Sequence, residues 1–509
     1  MNLAPPAKPL PFVHPDGRSS GVLLHVTSLP GPYGVGDLGP AAHAWVDQLA
    51  AAHQSWWQLL PLGPPAAGNS PYQCFSAFAG NPLLISPDAL VNDGLLQPSD
   101  VRPIKGRQDR VNYQVAEQAK TKLLRLAWSN HRRGGSAALR TAFDAFVAST
   151  PWLDDYALFT ALRDAHGGRI WNEWPTPLKR REPAALAAAQ AELADEIDYV
   201  RFVQFLFDRQ LRSLRRHAYT RGVGLIGDLP IFISGDSADV WANPQLFQLD
   251  RNLQPRAVAG VPPDAFSATG QRWNNPLYDW SAMAADGYAW WIERFRATFA
   301  QTDAVRLDHF RGFDAYWRIP ASAPTAQTGR WVDGPGAALF EAVKAEFGHL
   351  PLIAEDLGVI TDRVNALREG LKLPGMRVVQ FGFGGLTDSI HLPHRYTADT
   401  ATYPGTHDND TTVGWFKTLT KPERRRFTAY IGDDAAAREP AWALIRLAWA
   451  SVAALAITPL QDVLSLPTTA RMNLPGVGHG NWRWRANDEA GIASGLERLS
   501  ELTTLYARV

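Results

Sequence analysis

The chain has 509 residues, 46% hydrophobic and 20% charged, with 50 basic and 50 acidic side chains that cancel. That length exceeds what one simple core usually fills, so it implies either one large domain carrying insertions or two to three domains. The absence of net charge or a basic tract argues against nucleic acid, one cysteine excludes an internal disulfide framework, and no uncharged apolar span reaches transmembrane length.

The opening MNLAPPAKPLPFVHPDG has no charged segment followed by an apolar run, so it does not read as a secretion signal, and a cytoplasmic setting is expected. Residues 21–26 (GVLLHV) read as a short strand, followed by a turn-rich segment and a helix over about 40–53, where Ala44, Trp45 and Leu49 lie near helical spacing. Residues 56–62 (WWQLLPL) make the next strand, which gives a β-α-β start. Cys74, in SPYQCFSAF, sits among aromatics and reads as a buried structural thiol rather than a nucleophile.

Residues 81–200 interrupt the alternation with helix-forming stretches at about 118–128, 136–148 and 182–194, and are expected to be a mostly helical insertion. A helix over about 202–219 leads into an apolar strand at 222–231 that carries Asp228. Residues 236–287 are rich in Gly, Pro, Asn and Trp and show little periodicity. A loop that long is unusual without a function, and this one is expected to cover substrate.

A regular rhythm then returns. Strands are expected at 304–307, 351–354, 378–381, 401–404 and 457–460, with helices ending near 299, over 336–347, from 361, over 422–431 and over 442–456. Together with the three earlier strands this makes eight, the number needed for a (β/α)8 barrel assembled from residues 1–80 and 201–509; the period-free passages leave room for further strands. No glycine-rich nucleotide motif is present.

Polar residues recur just past these apolar runs: Asp228, then Arg306, Asp308 and His309 in AVRLDHFRGF, Glu355 and Asp356 in PLIAEDLG, and His407 and Asp408 in ATYPGTHDND. In a barrel such positions converge on one cavity. Several carboxylates there suit acid/base and nucleophilic work on a glycosidic bond, which needs a carboxylate and a carboxylic acid. Arg306 and Asp308, two apart on a strand, share a face, and an arginine beside a carboxylate keeps it ionised. Asp356 and Asp410 equally suit helix caps or turns, and the two histidines equally suit the core. The spacings HFRGF and THDND match no zinc pattern.

From RLDHFRG outward the sequence resembles the 4-α-glucanotransferases of glycoside hydrolase family 77, also known as amylomaltases or disproportionating enzymes. The resemblance runs through HVTSLPGPYGVGDLG (25–39), QLLPLGP (58–64), NSPYQCFSAFAGNP (69–82), IGDLPIFISGDSADVWANPQLF (226–247) and AGVPPDAFSATGQRWNNPLYDW (259–280). It continues through VRLDHFRGFDAYWRIP (305–320), LIAEDLG (352–358), LPGMRVVQF (373–381), PGTHDND (404–410) and NLPGVGHGNWRWR (473–485), so that only 100–200 is undistinctive.

The resemblance implies a (β/α)8 barrel of the α-amylase superfamily that transfers 4-α-glucan segments, with retention, to glucose or another 1,4-α-glucan. It places the nucleophile at Asp308, the general acid/base at Glu355 and a third carboxylate at Asp408. Arg306, His309 and His407 match flanking site residues. Tyr72, Asp264, Trp273 and Phe381 match positions that contact glucan or shape the loop over it. No cofactor is implied, and no protein partner can be read. A hydrolase of the same superfamily and a non-catalytic glucan binder are the competing readings. Retention of three carboxylates opposes the binder. One departure is Asn274, where the family commonly has glycine; asparagine tolerates positive φ better than most residues.

Overall fold

The computed structural model describes residues 17–66, 68–263, 267–384, 388–434 and 436–508. Eight parallel strands close into a barrel: β1 (Ser19–Leu23), β2 (Trp56–Gln58), β3 (Gly224–Leu229), β6 (Ala304–Leu307), β9 (Leu352–Ala354), β10 (Gly375–Val378), β11 (Thr400–Tyr403) and β12 (Leu455–Pro459). Each pairs with its neighbour in sequence order, and β1 meets β12 to complete the ring, from Ser19 opposite Leu455 to Leu23 opposite Pro459. The chain is therefore a (β/α)8 barrel, as the alternation of apolar runs predicts.

These strands are covered on both faces, so they are continuous apolar or small-residue runs rather than alternating ones; every residue of β3 is buried. Close packing at the bottom of the barrel requires glycine. A Cβ on Gly224 would come within 2.4 Å of the Trp56 ring, and one on Gly21 within 2.3 Å of the Trp56 carbonyl oxygen. Trp56 itself is 1% exposed. The helix Pro40–Ala51 shows how a flanking helix is specified: proline opens it, and Ala42, Trp45, Val46 and Leu49 turn one buried stripe toward the barrel.

Some strands differ in extent from expectation: of 56–62 only Trp56–Gln58 is strand, and β12 starts at Leu455, inside the expected helix 442–456. The apolar run at 378–381 contributes only Val378 to β10, and Val379–Phe383 forms a 3-10 turn whose Val379, Gln380 and Phe383 are buried. A short apolar run signals burial but not conformation, which explains the shift.

Between β2 and β3 the chain builds helices Tyr113–Gly134, Ala137–Ala148, Leu153–Ala165, Pro183–Glu192 and Ala194–Thr220. The first is anchored by Lys120, which donates to Asp37 at 2.9 Å and to the carbonyls of Leu83 and Ile85. Burial lowers the Lys120 pKa, and Asp37 opposes that. Removing one partner of such a pair typically costs about 3–5 kcal/mol.

The period-free passage after β3 hides two strands, β4 (Ala257–Val261) and β5 (Gln271–Pro276). With β7 (Ala315–Pro320) and β8 (Arg330–Asp333) they form an antiparallel sheet in the order β5-β4-β7-β8. The helix Glu489–Leu505 follows β12, and Arg508 beyond it is fully buried. Arg508 donates to the carbonyls of Ser19, Ala448, Trp449, Ser451 and Ala453, and so ties the segment before β12 to the start of β1. Among the described residues, no helix is long and apolar enough to cross a membrane.

Candidate active site

Each strand end delivers one part of the site. Asp228 is the penultimate residue of β3, Arg306 lies in β6, Asp308 follows β6 directly, and Glu355 follows β9 directly. His407 and Asp408 come from the loop after β11. Residues remote in sequence thus meet at the C-terminal mouth of the barrel.

Arg306 is the hub. Its Nη1 lies 2.9 Å from both oxygens of Asp228, and its Nη2 lies 3.0 Å from Asp308 Oδ1. Burial alone would lower the guanidinium pKa, but Asp228 and Asp308 outweigh it and raise the pKa well above the ordinary value. Asp228 is pushed upward by burial, with Arg306 opposing. The Arg306 contact fixes the direction of the Asp308 carboxylate.

Glu355 faces the same hub. Burial raises its pKa to about 8, Arg306 acts against the rise and the Asp308 charge adds to it. Its Oε2 accepts from the His309 amide at 2.7 Å and its Oε1 from the Leu357 amide at 3.1 Å. These donors aim the carboxyl and support the ionised form once the proton has left. His309 adopts φ 50°, a left-handed backbone uncommon for histidine, and its amide meets Glu355 from that conformation. The His309 ring is held neutral by burial, with a pKa of about 4, and Trp273 on β5 meets it edge-on at 5.0 Å.

Tyr72, from the segment after β2, bridges the opposite wall. Its hydroxyl donates to Asp228 Oδ2 at 2.8 Å and lies 2.9 Å from His407 Nε2. A phenol has one proton, and the Arg306-bound carboxylate takes it, so His407 Nε2–H donates to the Tyr72 oxygen. His407 Nε2 also lies 3.4 Å from Asp408 Oδ1. The rings of Tyr72 and His407 stack at 5.3 Å, and Trp482 lies against both.

Asp408 has holders that strand-end reasoning misses. Asn473 donates to its Oδ1 at 2.6 Å, and Arg471 donates to its carbonyl at 2.6 Å. Asn473 opens the NLPGVGHGNWRWR motif; that motif is the only trace of this contact in the sequence.

Of the residues anticipated from sequence, Tyr72, Arg306, Asp308, His309, Glu355, His407 and Asp408 join one constellation, and Trp273 abuts it through His309. Phe381 stands on the 3-10 turn after β10, 36% exposed, with its ring edge-on to His391 at 5.4 Å. Asp264 lies outside the described residues. Asn274 has φ 67°, so the backbone there is left-handed, as its substitution for glycine predicts. Cys74 is half-buried rather than buried as expected; its thiol donates to the Pro71 carbonyl, and desolvation pushes its pKa up to about 12, which fits a structural role.

The 4-α-glucanotransferase family profile matches residues 24–490. The 4-α-glucanotransferase of Thermus thermophilus is 49% identical over 475 residues, covering 92% of this chain and 94% of that protein. The Synechocystis 4-α-glucanotransferase is 47% identical, covering 97% of this chain and 98% of its own. Among solved structures, the amylomaltase from Streptococcus agalactiae in complex with acarbose superposes with a TM-score of 0.93 at 38% identity, covering 96% of this chain and 99% of that one. The amylomaltase of Corynebacterium glutamicum shares the fold, with a TM-score of 0.77 at 19% identity over 97% of this chain and 76% of that chain. The chain belongs to glycoside hydrolase family 77, the 4-α-glucanotransferases.

Proposed function

We propose that this enzyme moves a segment of a 1,4-α-glucan to the 4-hydroxyl of glucose or another glucan by double displacement, with Asp308 as nucleophile and Glu355 as acid/base. The observation that carries this reading is the different setting of two carboxyls at the barrel mouth. Asp308 is paired with Arg306 at 3.0 Å, whereas Glu355 has a pKa raised to about 8 by burial. A carboxyl that burial keeps protonated, set at the same mouth as one tied to a guanidinium, supplies the two different roles that one bond needs.

In the first step Asp308 attacks the anomeric carbon, and Glu355 gives its proton to the departing glycosidic oxygen. The donor is left as an ester on Asp308. In the second step Glu355, now a carboxylate supported by the amides of His309 and Leu357, takes the proton of the incoming hydroxyl. That hydroxyl displaces Asp308 from the anomeric carbon. Asp408, held by Asn473, is assigned to the hydroxyls of the sugar at the point of cleavage, where it favours the distorted ring. Tyr72 and Trp482 offer flat apolar faces beside it.

Transfer outruns hydrolysis when the acceptor hydroxyl is better placed than water. Trp273 on β5, packed on His309, is the residue we assign to that platform; Asp264 and Phe381 are assigned to the surrounding substrate path. Incubation with maltotriose tests the reaction. Products both longer and shorter than three glucose units support transfer, whereas maltose and glucose alone would make the enzyme a hydrolase.

A further inference from the structure

One buried group beside the site takes no part in the network above. His25 lies two residues past β1 and is 6% exposed, and its Nδ1 has no hydrogen-bond partner among the described residues. Burial, then the proximity of His407, lowers its pKa to about 3, so the ring is neutral. A buried nitrogen left unbonded costs stability, which makes a missing partner informative.

His25 lines a cavity with about 30 Å³ of room, shared with His407, Asn409, Asp410, Asp462 and Arg471. A bound water needs roughly 10–15 Å³ and about two to four polar partners, and this cavity provides both. His407 lines the same space. Its Nε2 edge is committed to Tyr72. Two imidazoles, one of them with a nitrogen lacking a partner, thus border one polar cavity.

We propose that His25 is a positioning residue for glycosyl transfer. Water held in this cavity links it to His407, and the link fixes the Tyr72–His407–Asp408 side of the site against the sugar being transferred. The proposal rests on the reaction proposed above. His25 acts through His407 and does not touch the reacting atoms.

The test compares His25→Gln, which keeps a hydrogen-bonding group, with His25→Leu, which keeps bulk alone. Maltotriose disproportionation and thermal unfolding are measured for both. A loss of alignment in the transition state lowers kcat and spares KM. The leucine variant is expected to lose at least about tenfold in kcat with KM nearly unchanged, and the glutamine variant to recover most of that loss. Equal losses in both, or none in either, would overturn the proposal in favour of packing alone.

A high-resolution crystal structure of the unaltered enzyme decides the matter even if the leucine variant does not fold. Ordered water within hydrogen-bonding distance of His25 Nδ1 and linked to His407 is expected; a dry cavity overturns the proposal. Failure of the unaltered enzyme to extend maltotriose would defeat the reaction itself, is seen before any substitution, and leaves the water measurement to decide the role of His25.

Discussion

The barrel mouth and the small antiparallel sheet beside it are built by opposite means. At the mouth, Asp228, Arg306, Asp308 and Glu355 sit on or directly after strands paired on both sides within the ring, and Arg306 is 4% exposed. On the small sheet, β5 presents Gln271, Arg272 and Trp273 half-buried and Asn274 exposed, and β8 is half open to solvent. Its pairing between β4 and β5 also shifts register between Val258 and Gly260. Rigid strand ends suit groups that must hold sub-ångström alignment, and an irregular rim suits groups that select among acceptors. On the roles proposed above, bond breaking and partner choice fall to separate layers of the molecule, and their defects should be separable.

The sharpest break would come from Asp308→Ala. Loss of a covalent nucleophile should reduce transfer by about four orders of magnitude or more, measured by discontinuous product analysis, with the thermal transition retained. Activity within tenfold of the unaltered enzyme would remove Asp308 from the role. Glu355→Gln should cost roughly 10²–10⁴-fold on maltotriose. With α-glucosyl fluoride, whose leaving group needs little protonation, the same variant should still form the covalent ester, detectable by mass spectrometry; no ester would mean that Glu355 does more than acid/base work.

Because burial raises the Glu355 pKa to about 8, the protonated acid predominates below that pH and is lost above it. In the unaltered enzyme kcat/KM should therefore fall about tenfold per pH unit on the alkaline side of 8. A flat profile to pH 10 would contradict the assignment. The smallest effect is expected at the rim. Trp273→Ala should leave the ester-forming step nearly intact and shift the transfer-to-hydrolysis ratio by about tenfold or less toward hydrolysis, following loss of acceptor placement. An unchanged ratio would take Trp273 out of the platform.

The same two layers differ in how legible they were. The barrel strands could be read because burial on both faces demands unbroken apolar runs, and catalytic side chains could be read because they end those runs. The small sheet could not, since QRWNNP and RWVD are polar, partly exposed and carry neither apolar run nor clean alternation. Family motifs marked Tyr72 and Trp273 without revealing what held them. The bond between Asn473 and Asp408 spans 65 positions and that between Arg306 and Asp228 spans 78, and no local pattern encodes such pairings. Asn274 is the exception on the rim. The family resemblance, with glycine common at that position, pointed to a residue that tolerates positive φ, and Asn274 adopts φ 67°.

Arg508, beyond the helix Glu489–Leu505, draws the ring shut, reaching Ser19 at 3.2 Å and Ala453 at 2.8 Å. During synthesis β1 therefore emerges hundreds of residues before the partner that will flank it, and its unpaired edge has to wait. Contacts across so great a sequence separation form slowly. Until β12 has been made, β1 lacks the strand that closes the ring on that side. A chain halted before Arg508 should stay protease-sensitive at β1, where the finished one resists.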